Sequence, residues 1–138
     1  MRRYAVIDTN VLVSAMLKWS SVPGSILEFA FSGAIIPILN DEILAEYRTV
    51  LMRDKFHLTK DIVDDVIQAL EKQGEYIDTN NMDYELPDPN DVVFYAIVME
   101  KRKDGDAYLV TGNIKHFPQK PFVVTPREMM DIILEDKE

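Results

Sequence analysis

Apolar and polar positions follow two different rhythms along the chain. Residues 4–7 form a short β-rich apolar run and predict a buried strand. Beyond Asp8-Thr9-Asn10, good helix N-cap types, Val11, Leu12, Ala15 and Met16 recur at helical spacing. Pro23-Gly24 opens a second helical stretch to Phe31, with Ile26, Leu27, Ala30 and Phe31 on one face, and Gly33 stops it. Residues 34–39 predict a second strand in spite of Pro37. Asn40 or Asp41 caps a helix from about 42 to 53. Thr59 caps another, with Asp61, Asp64 and Asp65 early and Lys72 and Gly74 late, which suits the helix dipole. Residues 75–86 are mixed, with one short strand at Tyr76-Ile77 and a loop. Asp88-Pro89 starts a helix to about residue 103, with proline at its first position. Residues 107–111 and 122–125 predict two more strands, and Pro126 opens a last helix through Leu134.

Strands alternating with helices predict an α/β domain, a parallel sheet covered on both faces. No internal repeat, low-complexity segment or long linker divides the sequence, so residues 1–138 read as one domain. The length suits that: a chain of this size buries roughly 65–70% of the surface its unfolded form exposes.

Composition removes several chemistries. Without cysteine there is no disulfide framework, thiolate nucleophile, iron–sulfur cluster or cysteine-type zinc site. The two histidines, His57 and His116, have no zinc-type spacing, and His116 reads as a surface-loop residue. Glycines at 24, 33, 74, 105 and 112 form neither a P-loop nor a dinucleotide fingerprint. No serine sits in a nucleophile-elbow context. The longest apolar run, residues 92–99, is far short of a membrane span. Asp8 and Asn10 interrupt the N-terminal apolar stretch, so it reads as a first strand rather than a signal peptide, with the cytoplasm as default compartment.

The net charge of −9 is unevenly placed: residues 1–58 are neutral overall, residues 59–106 carry −8, and residues 107–138 carry −1. An acidic chain meets phosphate poorly unless cations gather locally. Charge placement alone selects Lys18, Arg53, Lys55, Lys115 and Lys120, all outside the acidic middle third, as the groups to contact a nucleic-acid backbone.

In open parallel sheets ligands bind beyond the C-terminal ends of the strands, where Asp8 stands. Helix capping would account for Asp8 without any chemistry. Glu46 borders the stripe Ile43, Tyr47, Val50 and Leu51, where a carboxylate needs an ion pair, a path to solvent or a bound cation. Asp88 reads as an N-cap and Asp91 as near the third helical position, so two acids face one helix mouth. The strand end Thr111-Gly112-Asn113 adds small polar groups, with Gly112 allowing close backbone approach. Asp8, Glu46, Asp88 and Asp91 converge without adjacent bases, and such charges repel unless a cation holds them. Oxygen donors without cysteine or histidine point to Mg²⁺ or Mn²⁺ and to metal-assisted phosphodiester hydrolysis. A phosphatase with Asp8 as nucleophile would normally use an Asp-x-Asp pair, and position 10 is Asn.

These stretches resemble the PIN-domain ribonucleases, and within them the VapC-like toxins of toxin–antitoxin pairs. The resemblance is carried by residues 6–12, by Ile43-Leu44-Ala45-Glu46-Tyr47 with Val50-Leu51, and by Arg53-Asp54-Lys55-Phe56. Asp88-Pro89-Asn90-Asp91 with Ala96, and Tyr108-Leu109-Val110-Thr111-Gly112-Asn113, complete it, so that it runs from about residue 3 to 125. It implies a three-layer α/β/α sandwich around a parallel sheet and divalent-metal-dependent RNA cleavage leaving 5′-phosphate and 3′-hydroxyl ends. It further implies that Asp8, Glu46 and Asp91 are the metal-binding acids and Asp88 an accessory acid. Asn10 is similar to the polar residue that supports Asp8 in the family, and Thr111 to its late-strand hydroxyl. An antitoxin partner and a homodimer are implied in the same way. One position departs: the family often has an acid where this chain has Asn113, which brings no charge and cannot act as a base. That substitution, with the acidic surface, keeps open a second function, a PIN-fold binding module without catalysis that acts through a protein partner.

Overall fold

A computed structural model describes residues 2–135. Five strands form one sheet in the order β3-β2-β1-β4-β5: β1 (Arg3–Ile7), β2 (Ile35–Leu39), β3 (Glu75–Tyr76), β4 (Tyr108–Val110) and β5 (Val123–Val124). Every neighbouring pair is parallel. The helices are α1 (Thr9–Leu17), α2 (Val22–Ser32), α3 (Asp41–Leu51), α4 (Lys60–Gln73), α5 (Val92–Arg102) and α6 (Pro126–Glu135).

Parallel crossovers are right-handed. The chain steps from β1 to β2 to β3 in one direction, which lays α1 to α4 on one face, and returns past them to β4 through α5, on the other. Helix α6 packs on α2 and so joins the first face. The result is the expected three-layer α/β/α sandwich, with an entirely parallel sheet.

The central strands read as continuous apolar runs because both faces are covered: Ala5, Val6, Ile7, Ile35, Ile38, Leu39, Leu109 and Val110 are all buried. Pro37 is tolerated inside β2 by alternation. Ala34 O accepts from Arg3 N on the β1 side and Leu39 O accepts from Ile77 N on the β3 side, so Pro37 faces β3. Strand β3 pairs only from Ile38 onward, so the missing Pro37 N–H costs no ladder bond. Gly74 is required at that junction, since a Cβ there would stand 2.6 Å from Leu39 Cδ1 and 2.9 Å from Pro37 O.

Several boundaries differ from the sequence expectation, and the strands expected at 34–39, 107–111 and 122–125 shorten to Ile35–Leu39, Tyr108–Val110 and Val123–Val124. The short third strand lies one residue earlier, at Glu75–Tyr76. The helix that follows β2, α3, stops at Leu51, and Asp54–Phe56 forms a separate 3₁₀ turn. The segment after Asp88 is a 3₁₀ turn, Pro89–Asp91, before α5 begins at Val92. There the Asp88 carboxylate accepts from Asn90 N at 2.9 Å and its carbonyl accepts from Asp91 N at 3.0 Å, which tightens the entry. Asp91 is therefore the N-cap of α5 rather than its third residue.

Candidate active site

Asp8 follows β1, Asn40 follows β2 and Thr111 follows β4, so all three stand on the C-terminal edge of the sheet. Helix α3 rises from that edge because Asn40 Oδ1 accepts from Ile43 N at 2.8 Å. Ile43, Tyr47, Val50 and Leu51 are buried, which leaves Glu46 at the border of the buried face, half-buried and turned to the sheet edge. The Tyr47 hydroxyl donates to Ile7 O, tying α3 to the last residue of β1.

A cleft of about 430 Å³ opens at this edge, and Asp8, Glu46, Asp88 and Asp91 all line it, with Asn10, Asn113, Arg53 and His116. Asp8 is 5% exposed and its side chain makes no capping bond to α1. Instead its Oδ2 accepts from the Thr111 hydroxyl at 2.8 Å and from Asn10 Nδ2 at 3.3 Å. Asn10 Oδ1 accepts in turn from Gly112 N at 3.1 Å, so one side chain joins the ends of β1 and β4. Asp91 also makes no side-chain cap bond, whereas Asp88 does cap its turn. Capping thus accounts for Asp88 and leaves Asp8 and Asp91 free for other work.

Electrostatics in the cleft is strained by its own charge. Burial pushes the Asp8 carboxyl up to about 6; the Thr111 hydrogen bond opposes this, while the charges of Asp91 and Glu46 add to it. Burial and Asp88 hold Asp91 above the usual carboxylate range, and His116 pulls it back. The His116 Nδ1 lies 3.5 Å from Asp91 Oδ2. Tyr47, fully buried between these acids, has its phenol pushed up by desolvation, then by the charges of Asp8 and Glu46. Among the described residues no lysine or arginine forms an ion pair with any of the four acids.

The donor chemistry fits a hard divalent cation: carboxylates and amide oxygens, with no sulfur. The Thr9 hydroxyl, which also borders this cleft, is buried without a hydrogen-bond partner among the described residues. Among those residues no three acidic or histidine side chains are drawn close enough together to share one ion.

Of the basic residues singled out by charge placement, Arg53 lines the acidic cleft, and Lys115 and Lys120 line a neighbouring one. Lys18 stands at the end of α1 and Lys55 Nζ lies 5.1 Å over the Phe56 ring; neither lines the acidic cleft. His116 reads from the sequence as a loop residue and in fact faces Asp91, brought there by the 3₁₀ turn Ile114–His116. Gly112 is not demanded by close approach, since a Cβ there would meet Asn10 Oδ1 at an ordinary 3.5 Å.

An acid-lined cleft at the C-terminal edge of a parallel α/β/α sheet stands where proteins of this fold class bind their ligands. The PIN domain family pattern matches residues 4–115, most of the chain, and the chain belongs to that family. PIN domains are generally nucleases. No curated protein and no solved structure matches the chain.

Proposed function

We propose that this chain is a divalent-metal-dependent endoribonuclease, the toxin of a toxin–antitoxin pair. The observation that supports it most is the set of four carboxylates lining one cleft, with no lysine or arginine among the described residues paired to them. Folding keeps such a set only at a cost, which a bound cation relieves. Asp8, Glu46 and Asp91 would hold Mg²⁺ or Mn²⁺, drawing closer together on the ion than they stand without it, with Asp88 as accessory acid. The chemistry that ion supplies is a lowered pKa for water and neutralisation of charge growing on the phosphate. Thr111 and Asn10 orient the Asp8 carboxylate, and Arg53, unpaired at the rim among the described residues, contacts the RNA phosphate. The toxin reading brings with it an antitoxin partner, a homodimer and a cytoplasmic site of action. Among the described residues no helix is long and apolar enough to cross a membrane.

Asn113 favours a second reading, a PIN-fold module that binds a protein partner without cutting, because it removes a charge from the cleft. Incubating single-stranded and structured RNAs with the protein in Mn²⁺ or Mg²⁺, alongside Asp8→Asn and an EDTA control, separates the two. The nuclease reading expects metal-dependent cutting that the substitution abolishes. A folded, metal-replete sample that cuts none of them would sink it. The toxin role is tested apart from this by growth arrest on expression in a bacterial host, with Asp8→Asn as the harmless control.

A further inference from the structure

Beside the acidic cleft lies a second one of about 410 Å³, within the size range of small-ligand sites. The 3₁₀ turn Ile114–His116 separates them: His116 lines the first, while Ile114 and Lys115 line the second. The second cleft differs in kind. Its floor is apolar, from Ile114, Phe117 and Pro118, its rim carries Lys115 and Lys120, and no acidic residue among those described lines it. Ile114 is 43% exposed, a large apolar side chain open to solvent. Neither lysine side chain has an ion-pair or hydrogen-bond partner among the described residues. In a chain of net charge −9, two cations unpaired among the described residues and flanking an apolar floor beside an acidic cleft are unusual.

We infer that this second cleft is a nucleotide subsite, holding the base and phosphate of the single-stranded RNA residue next to the one cut. The inference rests on the nuclease reading above and deepens it. The base lies against Ile114 and Pro118, with the Gln119 amide at its polar edge, and Lys115 and Lys120 bind the flanking phosphates. Single-strand sites combine a cationic groove along the backbone with side-chain faces, commonly aromatic, for the bases; here the apolar face is aliphatic, from Ile114 and Pro118. The arrangement also answers the charge problem: the acids repel the strand at the point of cutting, and the lysines hold it just beyond. An unpaired base must enter the cleft, so duplex RNA is excluded from it.

Binding of a fluorescently labelled single-stranded RNA decamer, measured by anisotropy in EDTA so that nothing is cut, tests this. Lys115→Glu and Lys120→Glu are each expected to weaken binding about fivefold near 0.1 M salt. Each should also make the slope of log affinity on log salt shallower by about 0.7. Ile114→Ala is expected to weaken binding with the salt slope unchanged. Lys72→Glu, the same charge change at the exposed end of α4 leading into β3, on the far edge of the sheet, should leave binding as in the wild type. Wild-type binding that none of the three cleft substitutions alters overturns the subsite while sparing the nuclease reading. Equal weakening by Lys72→Glu overturns it too, since net charge alone would then be at work. A wild type that binds no RNA in EDTA overturns the subsite, while the nuclease reading stands or falls separately on the cleavage assay with Mn²⁺ or Mg²⁺.

Discussion

The Thr111 hydroxyl donates to Asp8 Oδ2 at 2.8 Å, joining residues 103 positions apart at the ends of β4 and β1. Thr111 is fully buried, and its oxygen also accepts from Asn113 N at 2.9 Å, so one hydroxyl both steadies the carboxylate and shapes the following turn. Hydrogen bonds to charged groups contribute about 1.5–3 kcal/mol. Thr111→Val should therefore destabilise the protein by about 2 kcal/mol at pH 8, and by less below pH 6, where Asp8 carries its proton. The same change should move the pH dependence of Mn²⁺ binding upward, and Thr111→Ser should restore it. Identical pH profiles for the valine variant and the wild type would show that the hydroxyl does not act on the carboxylate.

Asp8 itself sets a conflict between stability and chemistry. Its carboxyl titrates near 6 in the folded protein against an ordinary value of 3.8. Over that window the native state holds a proton the unfolded chain has released, so stability falls as pH rises from about 4 to 6 and stays lowered above. Cation binding has the opposite sign, since the proton must leave, and should strengthen as pH rises through 6. Asp8→Asn removes the buried charge and keeps an oxygen for Thr111 and Asn10. In EDTA at pH 8 it should be more stable than the wild type by about 2 kcal/mol, roughly 7 °C in Tm, and the gain should vanish near pH 4. Thermal melts at both pH values read this directly, and a variant less stable than the wild type at pH 8 contradicts it.

Much of this site is written locally. A β-rich run ending in Asp8, and an α3 stripe with Glu46 at its edge, are patterns within one element, and the structure sets both residues on the same cleft. What the sequence conceals depends on folding at a distance. His116 reaches Asp91 only because the turn Ile114–His116 folds back, and no periodicity marks a three-residue 3₁₀ turn. Tyr47 reads as one more apolar-stripe residue, since nothing local shows that its hydroxyl meets Ile7 O, 40 positions earlier. Asp91 moved to an N-cap because the Asp88 side chain closed the preceding turn, a competition between capping and helix that residue types leave undecided.

Tyr47 also bears on the spacing of the acids. Its hydrogen bond fixes α3, and with it Glu46, against the residue that precedes Asp8. Tyr47→Phe leaves the Ile7 carbonyl short of that partner and should cost about 1–2 kcal/mol. If the bond sets the separation of Asp8 and Glu46, half-saturation by Mn²⁺ should also rise severalfold in calorimetric titration, with the circular dichroism spectrum unchanged. A loss of stability with a superimposable titration would confine Tyr47 to packing.

Asn113 lines the cleft beside the acids, and its backbone N–H is already held by Thr111. Asn113→Asp therefore adds a fifth carboxylate without disturbing the turn that carries it. In EDTA at pH 8 the added repulsion should lower stability by about 0.5–1 kcal/mol, because the position is exposed and solvent screens it. With Mn²⁺ present the sign should reverse. A further anionic donor should tighten binding roughly tenfold, about 1.4 kcal/mol, and raise the metal-loaded Tm above that of the wild type. Cleavage should then reach half its maximum at lower metal concentration. If the substitution destabilises the EDTA-treated protein and leaves the Mn²⁺ titration where it was, the carboxylate at 113 does not reach the ion, and the charge missing from this chain is not what limits its metal affinity.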